Sequence, residues 1–206
     1  MAKLQVKQDV FSELGVGAGL LLSAAPTVNS STNAITITNG SIIGATRGGF
    51  TFNANPQTRS RTVDGLASNT VGAHIIDRYE PTLEGTFITA DLDTLKKACG
   101  FGDIDDNALT FRHDVKSDDY FDIWFIQRRS DGGAIILNIL NASCAITAGS
   151  LKTTDEGETE ISLTFVGNYT LADQDTPPFN IELVDAPVTP TPSQGAGTGG
   201  TSGTGN

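Results

Sequence analysis

Apolar residues recur with a period of two through most of the chain, in short runs bounded by Gly, Asn, Asp or Pro, and this alternation predicts strands. Ile35 and Ile37 alternate ahead of the Asn39-Gly40 turn signal, and Phe50, Phe52 and Ala54 alternate ahead of Pro56. Leu83, Gly85 and Phe87 share one face of residues 81–89, and further strands are predicted over residues 19–24, 109–115, 120–129, 134–140 and 159–169. In the last of these Ile161, Leu163 and Phe165 point one way while Glu160, Ser162 and Thr164 point the other, the pattern of a sheet with one wetted face. Residues 121–126 and 135–140 are apolar on both sides, so their strands belong at the centre of the fold or at an interface. A closing strand, Phe179-Asn180-Ile181-Glu182-Leu183, is entered from the rigid Thr176-Pro177-Pro178 turn. One segment departs from this period. Over residues 91–99, Leu92, Leu95 and Cys99 recur at helical spacing, with Asp91 and Asp93 in the first turn, Lys96 and Lys97 in the last, and Gly100 as a left-handed stop. This predicts a helix of about two to three turns.

Many strands with one short helix predict a mainly β fold: a β-sandwich or twisted barrel of two packed sheets with one short flanking α-helix. The length of 206 residues suits one domain and an appendage. Residues 1–185 form the predicted domain, with residues 1–40 an amino-terminal arm of strand and loop. Residues 186–206 hold six Gly and three Pro with neither charge nor aromatic ring, so they cannot bury enough surface to offset ordering entropy and read as a flexible tail. The amino terminus lacks the apolar stretch of about 7–15 residues that a secretory signal needs. Leu20-Leu21-Leu22, like the four-residue apolar runs at 123–126 and 134–137, is far short of the roughly 20 residues that span a bilayer. Cytoplasmic synthesis and no membrane partner are the expectations. Cys99 and Cys144 form no metal or redox pattern and read as small buried apolar residues.

Charge narrows the partners. The formal net charge of −11 disfavours a phosphate-neutralising nucleic-acid binder and a polybasic membrane binder. For catalysis, the chain offers only His74 and His113, neither inside a nucleophile motif, and an enzyme is not expected. Gly15-Val16-Gly17-Ala18-Gly19 lacks the preceding strand and the Lys-Ser or Lys-Thr pair of a phosphate loop and reads as a flexible connection. Asp103, Asp105, Asn107 and Asp114 match part of a calcium-loop spacing, but Ala108 replaces the turn glycine and Asp114 the bidentate Glu. That stretch reads as an acidic connection, and no cofactor or metal is expected.

Three segments in order, Gly44-Ala45-Thr46-Arg47-Gly48-Gly49-Phe50-Thr51-Phe52, Arg59-Ser60-Arg61-Thr62-Val63-Asp64-Gly65 and Glu80-Pro81-Thr82-Leu83-Glu84-Gly85-Thr86-Phe87, lead into the predicted helix. They are followed by Leu137-Asn138-Ile139-Leu140-Asn141-Ala142, Glu160-Ile161-Ser162-Leu163-Thr164-Phe165 and Asp173-Gln174-Asp175-Thr176-Pro177-Pro178-Phe179. From residue 44 to 184 this collinear series resembles the tail tube (major tail) proteins of long-tailed, non-contractile bacteriophages. The resemblance implies a two-sheet sandwich whose copies form hexameric rings, joined through their sheets and stacked into a tube. It implies a virion tail assembled in the host bacterial cytoplasm, with a tape-measure protein, a tail terminator and tail-tip proteins as partners. Double-stranded DNA would pass through without specific binding.

The charge pattern suits that implication. An acidic lumen would repel phosphates so that the duplex slides, and Asp118, Asp119, Asp122, Glu158 and Glu160 are the lumen candidates. The low apolar content of residues 53–69 predicts a loop that orders only against an adjacent ring, with Arg59, Arg61 and Asp64 as its contact residues. Two rivals remain: another tail component with the tube fold, such as a tail-end or tip protein, and a carbohydrate or adhesion β-sandwich. Against the second, the one tryptophan, Trp124, lies inside an apolar strand.

Overall fold

The computed structural model describes residues 15–38, 40–44, 46–61, 64, 70–88, 92–99, 101–144, 150–152 and 159–188. In chain order the strands are β1 (Gly15–Leu22), β2 (Thr27–Val28), β3 (Ile35–Thr36), β4 (Thr46–Asn53), β5 (Pro56–Ser60), β6 (His74–Tyr79) and β7 (Thr82–Phe87). Helix α1 (Leu92–Cys99) follows, then β8 (Gly102–Asp105), β9 (Ala108–Phe111), β10 (Phe121–Arg129) and β11 (Ala134–Cys144). The last three are β12 (Ser150–Lys152), β13 (Glu160–Val166) and β14 (Phe179–Val184).

The long strand β11 belongs to two antiparallel sheets. Its first half pairs with β10 and β14, and with β1 beyond β10 these make sheet 1, ordered β1-β10-β11-β14. Its end, Ser143 and Cys144, pairs with Val166 and Phe165 of β13, which joins sheet 2, β4-β7-β13-β12. The strand turns between the sheets at a register irregularity, where Phe121 faces Ala142 but Ile123 faces Ile139. Asn141 there takes a φ of 47°. A bulged residue is lost to the ladder, so its N–H needs another acceptor. The Asp122 carboxylate accepts it at 2.8 Å, and Asn168 Nδ2 donates to the Asn141 carbonyl at 2.8 Å and to Val166 O at 3.0 Å.

Between the sheets lies the main core, in which Leu83, Phe87, Ile123, Leu137, Ile139, Ile161, Leu163 and Phe165 are buried. The alternation predicted for residues 81–89 and 159–169 accounts for it: one face of β7 and β13 is apolar and sealed, the other wet. Gly85 completes the packing, because a Cβ there would lie 2.6 Å from the Phe50 ring, which meets Phe87 and Phe125 edge-on at 5.8 and 5.2 Å. The other face of sheet 1 carries a second cluster, Leu22, Ile126, Ala134, Ile136 and Val184, under Val28, Ile35 and Ile37 of the amino-terminal hairpin. That explains why β10 and β11 are apolar on both sides. Helix α1 packs Leu95 onto the main core.

The barrel form of the predicted fold is not what is found. The sheet path ends at β1 and β4, and among the described residues no ladder joins them. One end of β1 is instead held by the chain that follows the hairpin, through Ile43 N–H to Leu21 O at 2.9 Å and Ser23 N–H to Ser41 O at 2.8 Å. Three further differences share a physical reason, the absence of a buried face to impose a period. Residues 53–69, expected as loop, contain β5, whose residues are all exposed and which pairs with β6. The acidic connection forms the β8–β9 hairpin. The glycine run lies in β1, with Gly17 and Gly19 at φ of 81° and 77° where the register against β10 shifts. The chain also stays attached beyond the predicted boundary at 185, since Val188 N–H donates to Thr32 O at 2.9 Å.

Candidate assembly surfaces

The β5–β6 hairpin is an arm whose outward residues meet little of their own chain. It is built from main-chain pairing and cross-strand polar contacts: Arg59 Nε to Asp77 Oδ1 at 2.7 Å, Ser60 Oγ with His74 Nδ1 at 3.2 Å, and Arg61 N–H to Ala73 O at 2.6 Å. At its root Gln57 Nε2 and Arg78 Nε both donate to Glu80, at 3.2 and 2.8 Å. The root is anchored where Tyr79 N–H donates to the Tyr169 hydroxyl at 2.8 Å and its ring meets Phe179 at 5.4 Å. Of the three residues expected to make contacts, Arg59 is engaged within the arm, while Arg61 and Asp64 are exposed towards its far end. Val71 and Ile76 are exposed apolar residues of the same arm.

Sheet 2 leaves its second surface open, with a hollow of about 370 Å³ over β4, β7 and β13. Register places Thr51, Glu84 and Thr164 in one row across β4, β7 and β13, and Arg47, Thr86 and Ser162 in the next. Short hydroxyl side chains dominate. Glu160 reaches this face but is partnered, with Arg47 Nη1 at 3.1 Å and Lys152 Nζ at 3.9 Å.

A third polar cluster surrounds Arg112, which follows β9. Its guanidinium lies 2.7 Å from Asp119 Oδ1, 3.0 Å from Asp103 Oδ2 and 3.8 Å from Asp114 Oδ1; the Asp103 contact is an ion pair without hydrogen-bond alignment. Burial alone would raise the Asp119 carboxyl, but the Lys116 N–H at 2.7 Å and the Arg112 guanidinium outweigh it and hold it below the usual carboxylate range. A hydrogen bond from Lys116, then the charge of Arg112, lowers Asp103. Desolvation pulls the Arg112 guanidinium down, and its bond to Asp119 followed by the nearby carboxylates pushes it up on balance. Of the acids in the partial calcium-loop spacing, Asp103 and Asp114 therefore face Arg112, and Asp103 also faces Lys116. No group of three or more metal-ligating side chains occurs among the described residues.

The acidic residues proposed for a lumen are scattered among these surfaces. Asp118 is exposed in the 3-10 turn Ser117–Asp119, while Asp119 is buried against Arg112. Asp122 holds the β11 corner and Glu160 lies on the sheet 2 face. Glu158 is outside the described residues. His74 and His113 are both exposed, and Cys144 is buried, whereas the Cys99 side chain lies outside what is described. The sequence showed the wetted side of β13, but not that strand register joins Ser162 and Thr164 to Thr86 and Glu84 of β7 and to Thr51 of β4 in one hydroxyl-rich face.

No protein-family model and no curated protein matches the sequence. Among solved structures the chain is similar to the tail of an empty gene transfer agent particle of C6 symmetry, with TM-score 0.37, 14% identity, and 74% of this chain against 92% of that one covered. It is similar also to a chain of the virion of a native gene transfer agent particle, with TM-score 0.37, 16% identity and the same two coverages.

Proposed function

We propose that this chain is a structural virion protein, the repeating subunit of a phage-type tail tube, and that its copies close into hexameric rings that stack around a DNA channel. The observation that carries the reading is sheet 2. It is antiparallel, its outer strands β4 and β12 have no further partner among the described residues, and one face is core while the other is lined with hydroxyls. Unpaired edges are an aggregation liability in a monomer but a ring-closing surface under cyclic symmetry. The strand run β4-β7-β13-β12 alternates and has an even count. Rotation about an axis along the strands therefore sets β12 of one copy antiparallel to β4 of the next, and the alternation continues unbroken around the ring.

The hydroxyl face then lines the channel. Arg47 and Lys152 both lie at Glu160, and with Glu84 as the second acid the described charges of this face balance, so a duplex passing through meets no net positive charge to hold its phosphates. Asp118 adds negative potential from the side of α1. The β5–β6 arm, with Arg61 and Asp64 towards its end, reaches the adjacent ring. On this reading a tape-measure protein occupies the channel during assembly, and a terminator and tip proteins close its ends.

Negative-stain electron microscopy of the purified chain across a concentration series, with mass from light scattering on the same samples, tests the proposal. Hollow tubes with a channel wider than the roughly 20 Å of a DNA duplex are expected. A single closed ring that never elongates would instead identify a tail-end or tip component, and a strict monomer in the presence of preformed tail tips would overturn the tube reading.

A further inference from the structure

Away from the assembly surfaces, a notch on the outer face of sheet 1 holds polar groups that the chain itself leaves unused. The β2–β3 hairpin covers that face only in part, and where its cover ends a cavity of about 120 Å³ opens between Pro26 and Val28 on one side and the sheet on the other. Its floor is a single cross-strand row: Trp124 on β10 faces Asn138 on β11, which faces Asn180 on β14, so all three side chains rise from the same face. Glu182, two residues along β14, stands at the rim. Asn138 Oδ1 is buried without a hydrogen-bond partner among the described residues. Buried amide oxygens are nearly always paired, so one that is not calls for a donor from outside the chain.

We propose that this notch binds the edge of a neutral pyranose ring. Each sugar hydroxyl both donates and accepts, which matches two carboxamides and a carboxylate set in a row, while the apolar C–H face of the ring suits the indole of Trp124 and the ring of Pro26. Among the described residues no Lys, Arg or His lines the cavity, and Glu182 would repel an anion, so phosphates and sugar acids are disfavoured. The volume is well below the roughly 300 Å³ at which drug-sized pockets begin, which limits the occupant to one ring inserted by its edge. The site lies on the opposite side of sheet 1 from the main core and goes beyond the tube reading without depending on it.

Trp124 is the only tryptophan in the chain, so its emission reports occupancy directly. The full-length protein is titrated with glucose, galactose, mannose and N-acetylglucosamine, with acyclic sorbitol as the control. A saturable shift is expected with at least one of the four rings, at a dissociation constant on the order of millimolar, and none with sorbitol. Asn138→Ala and Asn180→Ala should each weaken binding about tenfold, the loss expected for one well-placed hydrogen bond. Asn180 is exposed, so its variant tests the site even where Asn138→Ala unfolds, and thermal melts identify that case. No saturable response to any ring, a response that sorbitol reproduces, or one that Asn180→Ala leaves unchanged would overturn the proposal. Tube formation by microscopy is a separate readout, so either reading can fail alone.

Discussion

A single guanidinium, that of Arg112, takes up three carboxylates that the chain would otherwise present to solvent. Because Asp103 and Asp119 both titrate below their ordinary value in the folded chain, the stability they contribute is present above about pH 4, the unfolded value, and is lost as pH falls through the lower folded values. Replacing Arg112 with Gln removes the partner but leaves the carboxyls. Its melting temperature should fall below that of the wild type at pH 7, and the gap between the two proteins should narrow towards pH 3. Melts followed by circular dichroism across that range check this, and a gap that is constant with pH would show that the ion pairs are not the source. Asp122 teaches a related point. Its carboxylate reads in the sequence as surface charge, but a bulge one strand away supplies an orphan N–H that it accepts. A bulge has no periodicity, so no pattern in the residues announced that use. The same holds for the pairing of Glu160 with Arg47, 113 positions apart in the chain.

Elements with one buried face were legible, and elements with none were not. In β7 and β13 the strand positions follow from alternation to within a few residues, and β10 and β11 were correctly expected at the centre because both of their faces are covered; β14 forms where it was expected, but Ile181 and Leu183 of its alternation are exposed and only Val184 is buried. The helix predicted over residues 91–99 is met by α1 (Leu92–Cys99), whose apolar spacing and acidic first turn are local signals. By contrast, β5, β6 and β8 are mostly exposed and carry no such signature, so their pairing is a main-chain matter that only the structure reveals. The arm formed by β5 and β6 is consequently cheap to alter in the free chain. Its Arg59–Asp77 pair has side chains 69% and 44% exposed, a setting in which ion pairs contribute less than about 1 kcal/mol. Arg61→Glu should therefore leave the melting temperature of the free subunit within a degree or two while stopping tubes from elongating. Light scattering at matched concentration measures both mass and growth. Normal elongation by this variant would remove the arm from any role between rings.

At the scale of the whole molecule, the excess of acid in the composition does not by itself say where a channel lies, because much of it is consumed within the chain around Arg112, at the β11 corner and beside Arg47. What distinguishes one face is chemistry of another kind: a sheet whose inner side is packed with Phe, Leu and Ile and whose outer side carries Thr51, Thr86, Ser162 and Thr164 around Glu84. Such a face can be converted from slippery to adhesive without disturbing the core. Thr51→Lys and Thr164→Lys place cations directly across from Glu84 on either side, an arrangement that cross-strand pairing favours, so folding and ring closure should survive. Assembled tubes of the wild type should release a short DNA duplex on dilution. Tubes of the double variant should retain it at low salt and lose it steeply as salt rises, in proportion to the number of phosphates engaged. Position is read by nuclease digestion of the retained duplex: protection places the lysines, and hence the face, inside the channel. Retained DNA that is fully digested would put this face on the outside of the tube, and sheet 1 would then have to line the channel instead.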